Sequence, residues 1–347
     1  MDYKKQEIKK GINLHSIKTD SFKTDLITVF ITTPLTRQNV TKNAILPMVL
    51  RKGSKNLNNI EEINKALEEM YGAEFNCGID KTGDNQVLKF YLEIIDNNYL
   101  PTDEDLVSKG INTLFELVFN PITENNALKA EYIDSEKQKL KIILEGRKDN
   151  KAKYAYLRCQ EEMYKGKPFG LYKYGYIEDI DEINPSNLYE YYKKLLSECK
   201  IDIFISGNIE KEKIEKIIKN NENIQKLQER EPIYETKNHV PEKREAKEVI
   251  EKADVTQGNL IIGLYIDGES KKEKYVAIVY NSILGGSATS KMFQIVREKN
   301  SLAYTAASNY LRHKNSLFIR CGIEIENYEK TLNLIKEQIE DMKKREL

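Results

Sequence analysis

Histidine is scarce in this sequence: His15, His239 and His313 are the three in 347 residues. No two stand four apart, so no pair shares a helix face as a local metal motif requires. Cysteine is scarce as well, and Cys77, Cys159, Cys199 and Cys321 include no CxxC. Four dispersed thiols in a chain this long point to free cysteines in a reducing compartment, which reads as the cytoplasm. Net charge is missing, because Lys+Arg and Asp+Glu both number 55. That removes the electrostatic reason to expect nucleic acid or an anionic membrane as partner. No apolar run approaches the ~18 residues of a membrane span. The opening "MDYKKQEIKKGINLHSIKTD" lacks the apolar centre of a signal peptide. "GGSATSK" (285–291) lacks the second glycine that a phosphate loop needs before its lysine.

What is present is a globular balance, 40% hydrophobic and 32% charged, in a chain long enough for two or three domains. "LITVFI" (26–31) reads as a strand and "AILPMVL" (44–50) as a short apolar stretch. "NNIEEINKALEEMYG" reads as a helix, with Asn58 and Glu61 at capping-box spacing and Gly72 past its end. Ile60, Ile63, Leu67 and Met70 form its apolar stripe. Strands "AEFNCGI" and "QVLKFYLEI" follow, joined by the turn "KTGDN". A helix from about Glu104 to Phe119 stops before Asn120-Pro121. The spacing predicts a long helix over roughly 124–146, with Leu128, Tyr132, Leu140, Leu144 and Glu136 on one face. A Gly/Tyr-rich connection, a helix near 185–197, the buried strand "KIDIFISGNI" and a helix to about 228 complete this half.

Residues 221–250 are polar, hold two prolines and lack apolar periodicity, so they read as a linker between a first domain, 1–220, and a second, 251–347. After the linker the order restarts. "NLIIGLYID" parallels the first strand, a helix at 273–284 follows, and "SLAYTAASNY" and "SLFIRCGIEIE" take the places of "AEFNCGI" and "QVLKFYLEI". Tyr304 falls where Phe75 stood. The expectation is an α+β protein of two duplicated domains, each a mostly antiparallel sheet flanked by helices, the second shortened.

The block "NSILGGSATSKMFQIVREKNSLAYTAASNY", "LEEMYGAEFNC", the "NP" at 120–121 and "GKPFGLYKYG" together resemble the pitrilysin-type zinc peptidases, the family of insulinase and the mitochondrial processing peptidase. The likeness spans most of residues 15–340 and is nearest to the short bacterial members that work as two-subunit assemblies. The family's active half carries H-x-x-E-H, in which two histidines one helical turn apart hold zinc and the glutamate activates water. The resemblance places that motif just before "RKGS", where this sequence has Ala44, Pro47 and Met48. None offers a zinc donor or a base. Glu136 resembles the upstream member of a glutamate pair seven apart; the ligand position itself is then Ile143, with Glu145 nearby.

The family's other half supplies an Arg and a Tyr, seven residues apart, that hold the peptide backbone and stabilise the oxyanion. Arg297 and Tyr304 match in identity and spacing, and a rigid guanidinium fork with a phenol donor suits that chemistry. Two structural readings stand beside it. Arg297, four residues after Phe293, could lie along an apolar helix stripe. Tyr304, alternating with Leu302 and Ala306, could fill the core. Gly285 and Gly286 match the family's glycine-rich loop, a candidate substrate contact or a plain turn.

The resemblance implies a catalytically inactive subunit of a heterodimeric zinc metallopeptidase. The chain would carry no metal, bind a peptide or small protein, and serve a homologous partner that holds the zinc. The alternatives are a peptide-binding or structural module with no part in proteolysis, and a self-sufficient peptidase needing a zinc site that the sequence does not contain.

Overall fold

The computed structural model describes residues 2–236, 245–268 and 270–344. The chain divides into two compact units. One comprises 1–145 with 171–236, the other 146–170 with 237–347.

In the first unit, β1 (Asp2–Lys9), β2 (Ile12–Lys18) and β3 (Thr24–Pro34) lead to α1 (Val40–Leu50) and α2 (Ile60–Glu68). The hairpin β4 (Glu74–Thr82) and β5 (Asn85–Ile95) is followed by α3 (Leu106–Phe119), the short pair β6 (Thr123–Glu124) and β7 (Ala127–Leu128), and α4 (Ala130–Glu145). Next in the chain, α5 (Lys151–Met163) belongs to the second unit. The first unit resumes with α6 (Pro185–Glu198), β8 (Lys200–Gly207), α7 (Lys211–Asn220) and α8 (Glu222–Lys226). Its six strands run β1-β2-β8-β3-β5-β4. All neighbours are antiparallel except β2 and β8. Apolar alternation buries Ile27, Val29 and Ile31 of β3 against the helices.

The second unit adds β9 (Gly258–Tyr265), α9 (Lys271–Gly285), a π-helical segment Met292–Lys299, the hairpin β10 (Ala303–Leu311) and β11 (Ser316–Ile323), and α10 (Tyr328–Lys344). Its sheet runs β10-β11-β9, antiparallel throughout. Leu284, Met292, Val296, Leu302, Leu317 and Ile335 centre its core. α5 packs on β9 within this unit.

The duplication is visible in the strand order. β3-β5-β4 in one unit and β9-β11-β10 in the other follow the same path: strand, two helical segments, hairpin, helix. Both units turn from helix into strand through a left-handed residue, Gly72 at φ 77° and Ser301 at φ 51°. Phe75 and Tyr304 each lie three positions on.

Several bounds differ from the sequence reading for physical reasons. The long helix begins at Ala130, because Asn125 and Asn126 take positive φ in the β6-β7 turn. The α2 cap is Asn59, whose side chain accepts the Glu62 N–H, one residue later than the expected Asn58 with Glu61. α1 extends over eleven residues with Pro47 inside it. It is buried on nearly every side, so it shows no amphipathic period. Of the expected linker, residues 237–244 lie outside the described residues. Before them, Leu227 and Arg230 are buried and Glu235 exchanges hydrogen bonds with Asn85, so 221–236 groups with the first unit. After them, Lys247 and Glu251 pair with Glu162 and Arg158 of α5.

Candidate functional site

α1 lies over β4 and β5 and under α4 and α6. Ala44 is 2% exposed and Pro47 is buried, while Met48 is partly buried. The Cys77 thiol, on β4, donates to the Pro47 carbonyl at 3.2 Å. Burial pushes that thiol up to about 11, so it stays protonated at neutral pH and is no thiolate ligand. On α4, Glu136 is 2% exposed and faces two cations. Lys52, from the turn after α1, lies at 3.2 Å and Lys139 at 2.7 Å. Ile143, two turns on, is 37% exposed.

These residues do not fit a zinc ion. Alanine and proline side chains bring no donor atom, and a lone thioether is a poor ligand for catalytic zinc. The buried Glu136 carboxylate has its charge met by lysines. The histidines are placed elsewhere. His15 stacks on Phe204 at 4.0 Å and pairs with Asp202 at 3.0 Å, a satisfied core residue, and His313 is exposed. His239 lies outside the described residues. Among the described residues, no three His, Cys, Asp or Glu side chains form a metal-sized group.

The second unit treats its motif differently. Arg297 is on the π-helical segment, an i→i+5 geometry that recurs at functional sites. Its guanidinium lies over the Phe293 ring at 4.5 Å and is 3.6 Å from Glu298, with the side chain 42% exposed. The stripe-edge placement expected from the Phe293 spacing is thus observed, yet the charged end is open to solvent. Ser301 N–H returns to the Arg297 carbonyl at 3.0 Å, closing the turn into β10.

Tyr304 is 59% exposed, so it is not core filler. It sits at an irregularity of the β10-β11 ladder between the Ala303–Ile323 and Thr305–Gly322 pairs. There its hydroxyl donates to Glu324 at 3.2 Å. This hydrogen bond and the carboxylate charge raise the phenol above its ordinary range, which keeps it a donor. Glu324, the residue just past the end of β11, was absent from the sequence reading. Lys52 was likewise missed, because its partner is on a helix eighty residues away.

Gly285 and Gly286 end α9. A Cβ at Gly285 would come within 2.5 Å of the Ser308 backbone nitrogen, so close helix–strand approach requires glycine there. Gly286 to Thr289 are exposed. The tyrosines near "GKPFGLYKYG" serve packing. Tyr164 is fully buried on Ser316, and the Tyr191 and Tyr192 hydroxyls donate to Asn43 and the Val118 carbonyl.

Residues 182–347 match the family model described as the peptidase M16 inactive domain. A probable inactive metalloprotease of Bacillus subtilis, YmfF, is 36% identical over 334 residues, 96% of this chain and 78% of that protein. The crystal structure of a conserved protein from Enterococcus faecalis superposes with a TM-score of 0.87 at 28% identity, covering 98% of this chain and 80% of its own. The M16 inactive domain from Pseudomonas fluorescens shares the fold at a TM-score of 0.79 and 18% identity, covering 98% and 79%. No helix among the described residues is long and apolar enough to cross a membrane. This chain belongs to the M16, pitrilysin-type peptidase family as an inactive homologue.

Proposed function

We propose that this chain is the non-catalytic subunit of a two-chain zinc peptidase in the cytoplasm. A homologous partner bearing H-x-x-E-H holds the metal, and Arg297 and Tyr304 of this chain act on the peptide bound there. One observation carries the reading: Tyr304 is 59% exposed with a protonated hydroxyl, although a tyrosine at this repeat position has a buried counterpart in Phe75. The guanidinium fork suits peptide carbonyls. The phenol suits the oxygen that gains charge as the scissile carbonyl is attacked. In the assembled enzyme the phenol exchanges its Glu324 partner for substrate. Gly286 to Thr289, exposed beside Gly285, offer backbone groups to the same peptide. Dividing the groups between chains confines cleavage to peptides that both chains enclose.

The test is reconstitution with an H-x-x-E-H homologue from the same cell. Neither chain alone should cleave peptides, and the mixture should. Tyr304→Phe should lower kcat of the mixture on the order of 10²-fold with assembly unchanged by gel filtration. Full activity of the partner alone, or of the Tyr304→Phe mixture, would sink the shared-site reading.

A further inference from the structure

After α8 the chain forms a strap, residues 227–236, across the end of the first unit's sheet where β2, β8 and β5 begin. Its backbone is tied there at three points. Arg230 N–H donates to the Lys10 carbonyl at 3.1 Å and Ile233 N–H to the Glu198 carbonyl at 2.8 Å. Glu235 exchanges two hydrogen bonds with the Asn85 side chain. Gln228, Glu229 and Glu231 are exposed, yet Arg230 among them is only 6% exposed. Its stem lies on Gly11. A Cβ at that position would meet Cγ of Arg230 at 2.7 Å, so a glycine, at φ 81°, admits the side chain.

Inside, the guanidinium finds no partner. Nε, Nη1 and Nη2 are all buried, and none makes a hydrogen bond among the described residues. Burial lowers its pKa, and the group that opposes this shift is the Cys199 thiol rather than a carboxylate. That thiol is itself pushed up by burial, so it is neutral at physiological pH. The carboxylates that adjoin the strap are engaged elsewhere: Glu231 pairs with Lys10 and Glu198 with Lys194. Beyond Cys199 the polar groups are hydroxyls. Thr33 bonds both the thiol and the Tyr191 phenol, which donates to Asn43 at 2.7 Å. Arginine does not shed its proton in a protein, and a buried charge without a counter-charge is costly. Methionine would fill the same space without that cost, so packing does not explain the guanidinium.

We propose that Arg230 anchors a buried anion site beneath the strap, and that its ligand is a small inorganic oxyanion of the phosphate class. Both edges of the guanidinium fork are open, Nη1 with Nη2 and Nε with its neighbouring Nη. Each edge presents two parallel N–H groups at the spacing of two oxygens on one anion. The Cys199 thiol adds a weak donor on the same side. The strap covers the site, which admits a free ion and excludes the same group carried on a peptide or a nucleotide. Bound there, the anion ties the strap to the start of β8 through a side chain as well as through the backbone.

Inorganic phosphate, sulfate and chloride, compared at constant ionic strength, test this on the 347-residue chain. Phosphate should raise the unfolding midpoint along a saturating curve, by about 5 °C at a hundredfold excess over its dissociation constant. Sulfate should do the same and chloride should not. The phosphorus NMR line of phosphate should broaden on addition of the unmodified chain, a readout that needs no variant to fold. The Arg230 and Ile233 amides should exchange about 10-fold more slowly with phosphate present. Arg230→Met should unfold at a higher temperature than the unmodified chain in buffer without oxyanions, because the buried charge is gone. It should keep only the linear rise that phosphate gives by exclusion from any protein surface. A merely linear response of the unmodified chain with an unchanged phosphorus line overturns the proposal. So does equal saturation by chloride, or a saturating response that survives in Arg230→Met.

Discussion

The two candidate regions, one in each unit, differ in how they are covered. In the first unit, α1 is sealed. Its positions 44 and 47 are buried, the Cys77 thiol is spent on the Pro47 carbonyl, and Glu136 is held by Lys52. In the second unit the passage from the π-helical segment into β10 is open, with Arg297 and Tyr304 both in solvent on either side of the left-handed Ser301. Residues that support a core are bought with burial; residues that meet a ligand must forgo it. The difference separates residues used for packing from residues left open to solvent.

The strongest way to break the comparison is at Lys52. Its ammonium, 19% exposed, neutralises a carboxylate that is 2% exposed. Lys52→Met leaves that carboxylate with the more exposed Lys139 alone. The expected loss is about 3 kcal/mol, the lower end for breaking a buried pair, read by urea unfolding at pH 7. Adding Glu136→Leu should restore most of it, because the uncompensated charge is then gone. A single-variant loss indistinguishable from zero would show that this pair does not hold α1 to α4.

Asp25 sharpens the same point. It is 1% exposed; one carboxylate oxygen accepts the Asn208 N–H at 3.1 Å and the other has no partner. Burial first and Asp96 second raise it to about 6, against opposing pulls from the Asn208 N–H and then Lys213. The folded state therefore holds this proton more tightly than the unfolded chain does. The group costs nothing at low pH, and stability falls as pH rises from the ordinary aspartate range through about 6. Asp25→Asn should flatten that slope. It should stabilise the protein by about 2 kcal/mol at pH 7.5, with little change at pH 4, measured as melting temperature against pH. Equal destabilisation at both pH values would mean that the carboxylate is needed for its geometry.

Much of this contrast was legible in the sequence. The repeat, the β3, β4 and β5 strands and the Arg297–Tyr304 spacing follow from short-range patterns. The rest depends on contacts between distant residues. β1 is largely exposed and charged, so it carries no alternating signal. α1 is apolar all round, so it carries no helical period. α5 joins the second unit because Cys159 and Met163 pack against Gly263 of β9, a hundred residues away. Exposure of Tyr304 arises from an irregular rung in its hairpin, which simple alternation with Leu302 and Ala306 conceals.

The smallest expected effect is the most discriminating. Tyr304→Phe deletes one exposed hydrogen bond of 3.2 Å to Glu324, and Arg297→Lys exchanges an exposed guanidinium 4.5 Å above Phe293 for an ammonium. Exposed contacts of either kind contribute little, so each variant should change unfolding free energy by under about 0.5 kcal/mol. A loss above about 1 kcal/mol would place the pair with Lys52 and Glu136, as residues kept for packing. A near-zero loss means that the fold does not use what these two side chains offer. That outcome is the one the proposed shared site requires of a phenol and a guanidinium held in solvent around a left-handed serine.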